Sequence, residues 1–316
     1  MSSSPLLSAL ALSRHYGSHL AVSNISFDIY KGEVLGFLGP NGAGKSTTMK
    51  MLSGNLAPNQ GQITINGYDL LNQPKQAKSH IGYLPEQPPL YKELTVKEFL
   101  NFCAQINNIS TTNIKMAVDT VIERCGLTNV TKRLIGNLSK GYQQRVGIAQ
   151  AIIHSPAVVI LDEPTSGLDP IQIIEIRHLI REIAKEHSVI LSTHILPEVQ
   201  MLCDRVQLIN HGNLIFNDTI AGLNQQRQAS NLLCTFNAPP PSLTLQQLAG
   251  VLTVEVLSKT QFRLHYQPDI NPTEELLNRA VSERWQLTEL MPEQHSLEDV
   301  FMNIIQQESH TSEHIA

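Results

Sequence analysis

The run Gly39-Pro40-Asn41-Gly42-Ala43-Gly44-Lys45-Ser46 constrains this chain more than any other stretch. It follows the apolar segment EVLGFLG and precedes the helix-like TTMKMLSG, so it reads as strand, glycine-rich turn and helix N-terminus in succession. Glycines at these spacings let successive backbone N–H groups converge on phosphate oxygens, and the N-terminus of the following helix favours an anion. Lys45 then supplies a positive charge between β- and γ-phosphates, and the Ser46 hydroxyl an oxygen for Mg²⁺. The candidate phosphate site therefore runs from Gly39 through Thr47. Taken alone, the segment could also be a glycine-rich turn that binds nothing.

A second run, Val158-Val159-Ile160-Leu161-Asp162-Glu163, is an apolar strand ending in two carboxylates. Continuous apolar runs mark strands covered by helices on both faces. The C-terminal ends of such strands form the edge where α/β proteins bind ligands. That places Asp162 to hold Mg²⁺ through water and Glu163 to polarise an attacking water as general base. An ordinary acidic strand end is the alternative for this pair by itself; a phosphate loop upstream weighs against it.

LAVSNISFDI, SVILST and VQLIN read as further strands, and the strand-then-helix alternation predicts an α/β domain with a largely parallel core over residues 1–222. Between about 87 and 155 the strand signal disappears, and ELTVKEFLNFCAQI and MAVDTVIERCGL read as amphipathic helices of an insert. A polar linker covers 223–230. In 231–316, Cys234 and Phe236 alternate with polar neighbours before three prolines. Leu243, Leu245 and Leu248 mark a helix, and Val254 and Val256 face Phe262, Leu264 and Tyr266 across a turn. A second helix with Leu276, Leu277, Ala280 and Val281 leads into a strand WQLTEL that holds Trp285 in the core. This βαββαβ order predicts a small ferredoxin-like α+β domain, with a final helix from Ser296. It carries no catalytic constellation, and its place in the chain points to dimer contact or regulation.

Composition narrows the function classes. The 316 residues are 41% hydrophobic and 16% charged, enough to bury a real core. A net charge of −5 and pI near 6.2 give no global case for nucleic acid, so none is expected as a partner. Four scattered cysteines without a CxxC pair argue against a zinc ribbon or disulfide framework and for a reducing compartment. The twelve histidines show no HExxH spacing. No apolar run approaches the roughly 18 residues that span a bilayer. The start, MSSSPLLSALALSRHYG, lacks a basic n-region and is expected to be folded protein rather than a signal peptide. Any membrane role is then peripheral.

Leu138-Ser139-Lys140-Gly141-Tyr142 followed by Gln143-Gln144-Arg145 resembles the LSGGQ signature of the ABC ATPases. Asp162-Glu163-Pro164-Thr165-Ser166-Gly167-Leu168-Asp169 is very similar to that family's Walker B and D-loop, and Ser192-Thr193-His194 to its switch-histidine strand end. Tyr16 stands where the family has an aromatic ring that stacks on adenine. The likeness covers roughly residues 5–220, with the motifs in the family's order and spacing. It implies an ATPase with the P-loop NTPase fold, using ATP and Mg²⁺. It also implies head-to-tail dimers in which one P-loop and the partner's Ser139–Gly141 segment sandwich each nucleotide. The helix after Ser139 would aim its N-terminal dipole at the γ-phosphate. His194 would contact the γ-phosphate and Glu163 and sense hydrolysis, and Asp169 would help couple the two sites.

The sequence departs from the commonest family form at two places. In Ile81-Gly82-Tyr83-Leu84-Pro85-Glu86 a glutamate stands where the glutamine that links Mg²⁺, the attacking water and the membrane partner is usual, and Gln87 follows. Glu86 could ligate Mg²⁺ but adds negative charge beside the phosphates; either Glu86 or Gln87 takes the glutamine's part. The signature reads SKGY, with Lys140 adding a charge and Tyr142 replacing glutamine. These variants, Pro88-Pro89-Leu90-Tyr91 and the late Ser296-Leu297-Glu298-Asp299-Val300-Phe301 resemble ATPase subunits of ABC-2-type exporters of the gliding-motility and multidrug kind. The resemblance therefore implies a transport motor at the inner face of the cell membrane. It would act as homodimer or heterodimer on a separate permease, with Glu86–Leu100 at the contact. A soluble ABC ATPase acting on DNA or ribosomes is the alternative; the long coiled-coil or zinc insertions usual there are missing from this sequence. A binding-only domain is a third reading, opposed by intact Lys45, Asp162, Glu163 and His194.

Overall fold

The computed structural model describes residues 4–225, 231–267 and 270–293, and the chain divides into two units, 1–220 and 221–316. The first unit starts with a hairpin, β1 (Leu7–Tyr16) and β2 (His19–Ile29), closed at Gly17-Ser18. β3 (Val34–Leu38), five residues all buried, then enters a second sheet and leads through the glycine-rich turn into α1 (Lys45–Leu52). β4 (Gln60–Ile65) and β5 (Tyr68–Asp69) return to the hairpin and complete an antiparallel sheet of order β2-β1-β4-β5. A short α2 (Pro74–Lys78) joins it to β6 (Ile81–Leu84).

Next comes the helical stretch: α3 (Val96–Ile106), α4 (Thr111–Arg124) and α5 (Lys140–Ile152). Thr95 and Glu98 form a reciprocal capping box at the start of α3, whose Val96, Phe99, Leu100 and Cys103 are buried. Asn108 and Gly126, both at positive φ, follow α3 and α4 and turn the chain out of each. α4 begins at Thr111, ahead of the Met116 at which the amphipathic pattern starts, because the chain leaves the Asn108 turn directly into helical geometry after Ser110. β7 (Val158–Asp162), α6 (Pro170–Ala184), β8 (Ser188–Thr193), α7 (Leu196–Leu202), β9 (Arg205–Asn210) and β10 (Asn213–Thr219) follow, and α8 (Ile220–Gln225) ends the described run.

The larger sheet has the order β10-β9-β3-β8-β7-β6, parallel apart from the edge pair β10–β9. β3, β7 and β8 are buried along their whole length, which is why their sequences are almost continuously apolar. Met49, Met51 and Leu52 of α1 share one core with Phe27, Ile63 and Ile65 of the antiparallel sheet and Phe37, Val158, Ile160 and Ile190 of the parallel one. Each of these large side chains contributes about 1.5–3 kcal/mol by leaving water, so α1 is clamped between the two sheets. In the register, Leu38 lies opposite Thr193 and Asp162 opposite Ser192, which lines up the C-terminal ends of β3, β8 and β7. No helix among the described residues is long and apolar enough to cross a membrane.

The second unit contains β11 (Asn231–Phe236), α9 (Ser242–Gln246), β12 (Val251–Val256), β13 (Gln261–Tyr266), α10 (Thr273–Ser282) and β14 (Leu287–Glu293). Its antiparallel sheet has the order β12-β13-β11-β14, the split arrangement of ferredoxin-like domains. Leu232, Cys234, Phe236, Phe262, Leu264, Leu276 and Trp285 make its core. One expectation needs correcting here. Trp285 is buried, but it precedes β14, and the positive φ of Gln286 separates it from the strand. The ring packs edge-on to Phe236 from the α10–β14 turn, at 6.1 Å between centroids. The helix expected from Ser296, with the Ser296–Phe301 motif, lies outside the described residues.

Candidate functional site

The turn between β3 and α1 is built around close backbone contacts. Gly44 has φ 109°, and a Cβ there would lie 2.6 Å from the Ala21 carbonyl, so only glycine lets the loop press against β2. Inside the turn, Lys45 Nζ donates to the carbonyls of Gly39 (2.8 Å) and Pro40 (3.2 Å) and lies 3.6 Å from Glu163 Oε1. The lysine is thereby held against its own loop with its charge facing a carboxylate. Thr48 Oγ1 bonds back to the Gly44 carbonyl at 3.0 Å and tightens the first helical turn.

A cavity of about 540 Å³ opens over this loop, lined by Asn41, Gly42, Gly44, Lys45, Ser46 and Thr47. Tyr16, His19 and Ala21 border it on one side, and Glu86, Glu163, Ser166 and His194 on the other. Tyr16 sits at the end of β1, 46% exposed, with the Arg14 guanidinium 5.2 Å from the ring centroid. A half-exposed aromatic ring at a cavity edge is a surface on which a planar base can stack. Gly39, Pro40 and Ala43 do not line the cavity; the first two present carbonyls to Lys45.

The two carboxylates at the end of β7 have different environments. Asp162 is buried and accepts hydrogen bonds from Ser192 Oγ (2.5 Å) and Ser46 Oγ (3.3 Å). Burial pushes its carboxyl above the usual range; the two hydroxyls oppose this, the Glu86 charge adds to it and Lys45 lowers it again. Ser46 and Glu86 line the cavity, and Asp162, buried, accepts the Ser46 hydroxyl; hard oxygen donors of this kind suit Mg²⁺. Tyr83, on the neighbouring β6, is pushed up by burial and by the Asp162 charge.

Glu163 takes φ 49°, a strained left-handed conformation for a side chain of its size. Its N–H donates to the Ser192 carbonyl (3.1 Å) and to Ser192 Oγ (3.2 Å), and its own carbonyl accepts from the Ser166 N–H (3.1 Å). These bonds turn the carboxylate away from the line of β7, out towards the cavity. There Oε2 lies 2.8 Å from His194 Nδ1; a carboxylate can only accept, so Nδ1 carries the proton in this contact. Ser192, which donates to the Asp162 carboxylate and receives the Glu163 N–H, has no role of its own in the sequence reading, where it only opens the Ser192-Thr193-His194 strand end. Its signal is slight: with Thr193 it is one of two hydroxyls that follow the apolar run of β8. His19 and Ser166 were likewise missed as cavity-lining residues.

Ser139 and Gly141 stand apart from this cavity. Ser139 caps α5 through a 3.4 Å bond from the Tyr142 N–H, and Gly141 lies so close to the Gln172 side chain that a Cβ would be 2.6 Å from it. Between this helix end and the cavity lies a groove of about 620 Å³ containing Glu86, Gln87, Lys92, Lys140, Gln143 and Ser166. Glu86 borders both spaces, whereas Gln87 lines only the groove. Asp169 caps α6 by accepting from the Gln172 N–H at 2.9 Å.

The ABC transporter family profile matches residues 22–166. The chain is 33% identical over 301 residues to an uncharacterised ABC transporter ATP-binding protein, YxlF, of Bacillus subtilis (strain 168), covering 95% of this chain and 99% of that one. It is also 33% identical to the Nod factor export ATP-binding protein I of Rhizobium sp. (strain N33), covering 92% and 94%. A solved structure of an ATP-binding subunit of an ABC transporter superposes with a TM-score of 0.64 at 32% identity, over 70% of this chain and 92% of that one. With a loop for phosphates, a carboxylate pair at the sheet edge and full-length relatives of this kind, the chain belongs to the ATP-binding subunits of ABC transporters, which bind and hydrolyse ATP.

Proposed function

We propose that this subunit drives an ABC-2-type exporter, two ATPase subunits closing head to tail at the inner face of the cell membrane and acting on a separate permease. The observation that carries this reading is the division of the site. Lys45, Glu163 and His194 converge on one cavity, while Ser139 and Gly141, at the N-terminus of α5, stand outside it. One chain alone therefore holds half of a nucleotide sandwich. The full-length similarity to a subunit whose name records export, with the SKGY and Pro-Glu-Gln variants, supports export over import.

In this reading adenine stacks on Tyr16, and the phosphates lie against the N–H groups of Asn41, Gly42 and Gly44 to Thr47, with Lys45 exchanging its carbonyl contacts for phosphate oxygens. Ser46, Glu86 and Asp162 would hold Mg²⁺, whose charge would offset that of the phosphates. Glu163, released from Lys45, accepts a proton from the attacking water, and His194 keeps its carboxylate oriented. The partner's Ser139 and Gly141 bind the γ-phosphate from the other side. Because the closed dimer binds ATP better than the open form, nucleotide shifts the population to it and hydrolysis releases it.

Glu163→Gln tests the reading. The tagged variant is expected to keep ATP affinity, lose nearly all turnover and run as a dimer on a sizing column in ATP. Recovered from detergent-solubilised membranes with ATP, it should bring down a protein with several membrane spans. Wild-type hydrolysis by the variant would sink the general-base assignment. Ribosomal or DNA-repair proteins in place of a membrane partner would sink the transport reading.

A further inference from the structure

Behind His194 lies a polar chain that the hydrolytic site does not itself use. Thr193, the last residue of β8, and Glu198, in the first turn of α7, are both fully buried. The Thr193 hydroxyl donates to Glu198 Oε2 at 2.9 Å and accepts from the Ile195 N–H at 3.0 Å, closing a turn around His194. Glu198 Oε1 in turn lies 3.5 Å from Nη2 of Arg177, on α6. Arg177 and Arg181 are anchored against Met201 of α7, the first through Nη1 to the sulfur at 3.4 Å and the second to the Met201 carbonyl.

A carboxylate with no exposed surface is retained at a cost unless its partners are fixed. Here those partners are the residue before His194 and a helix capped by Asp169. We propose that Thr193, Glu198 and Arg177 are positioning residues: a relay that fixes the His194 turn on Glu163 and ties it to α6, the helix capped by Asp169. The proposal rests on Glu163 and His194 being the hydrolytic pair. It assigns the relay no contact with nucleotide; it acts by setting where His194 stands. A displacement of α6 reaches the Glu163–His194 contact through three polar side chains and one turn.

Steady-state hydrolysis by the full-length protein tests it. Thr193→Val removes the hydroxyl at nearly constant volume, and Thr193→Ser keeps it. The valine variant should lose about tenfold or more in kcat with KM for ATP within about twofold, and the serine variant should return to within about twofold of wild type. On a His194→Ala background the valine change should cost less than about twofold, because both act through one group. Arg177→Met, which keeps an apolar stem, should show the same kcat loss at unchanged KM. Wild-type kcat in Thr193→Val or Arg177→Met, a serine variant as slow as the valine, or a full extra loss on the His194→Ala background would each overturn the relay. If Glu163→Gln is inactive while Thr193→Val is normal, only the relay fails. If Glu163→Gln hydrolyses at the wild-type rate, the hydrolytic pair fails and the relay with it.

Discussion

Ser192 shows how far a single side chain can reach at a sheet edge. Its hydroxyl donates to the Asp162 carboxylate, while the same oxygen and its carbonyl receive the Glu163 N–H that holds a strained backbone turn. Losing it removes a charge-assisted bond from a buried carboxylate, worth about 1.5–3 kcal/mol in such settings. Ser192→Ala is therefore expected to lower ATP turnover about tenfold while the phosphate loop still takes up nucleotide. Turnover and nucleotide affinity measured on the same preparation decide it: unchanged turnover would show that Asp162 and Glu163 are held without the hydroxyl. The sequence named both carboxylates, because two acids end an apolar strand downstream of a glycine-rich phosphate-loop motif. It could give Ser192 no role at Asp162, since only strand pairing sets the two opposite each other. The choice between Glu86 and Gln87 was open for the same reason. In the structure Glu86 borders the cavity and Gln87 only the groove beside it.

Among the elements, α3 is the one whose start is written most clearly. Thr95 Oγ1 accepts from the Glu98 N–H at 3.3 Å, and the Thr95 N–H donates to Glu98 Oε2 at 2.9 Å. Thr95→Ala should cost about 1 kcal/mol, read as a lower Tm. The Thr95 backbone bond, followed by the Thr95 hydroxyl, holds the Glu98 carboxyl below its usual 4.5. A depressed carboxylate contributes fully above that value, and the contribution disappears as pH falls through the lower folded value. The Tm gap between wild type and Glu98→Gln should therefore be open at neutral pH and close on acidification; a gap that does not change with pH would refute the charged cap. The small antiparallel sheet shows the opposite case. The first half of β4 is exposed and β5 has two residues, so neither has the apolar run that made β3, β7 and β8 legible.

At the scale of the whole molecule, each unit has a core of its own. The lone tryptophan, Trp285, lies in the second, against Phe236, so its emission reports that unit's folding. Phe236→Ala should cost about 3–5 kcal/mol, red-shift Trp285 emission and lower the denaturant midpoint that this signal follows. An unchanged midpoint would mean that Phe236 does not carry the packing. Periodicity and motif order by themselves determined the fold class, the glycine-rich turn between strand and helix, the acidic pair at a strand end and the βαββαβ order of the second unit. Each is encoded locally, in apolar periodicity, in glycines where backbone must approach a ligand, or in polar residues at strand ends. Only the tertiary structure decided which strand ends stand side by side, that Glu86 rather than Gln87 borders the cavity over the glycine-rich turn, and that Thr193, Glu198 and Arg177 form one polar chain. Those facts depend on sheet order and helix packing between segments far apart in the chain, and no local pattern encodes a neighbour that the fold alone brings near.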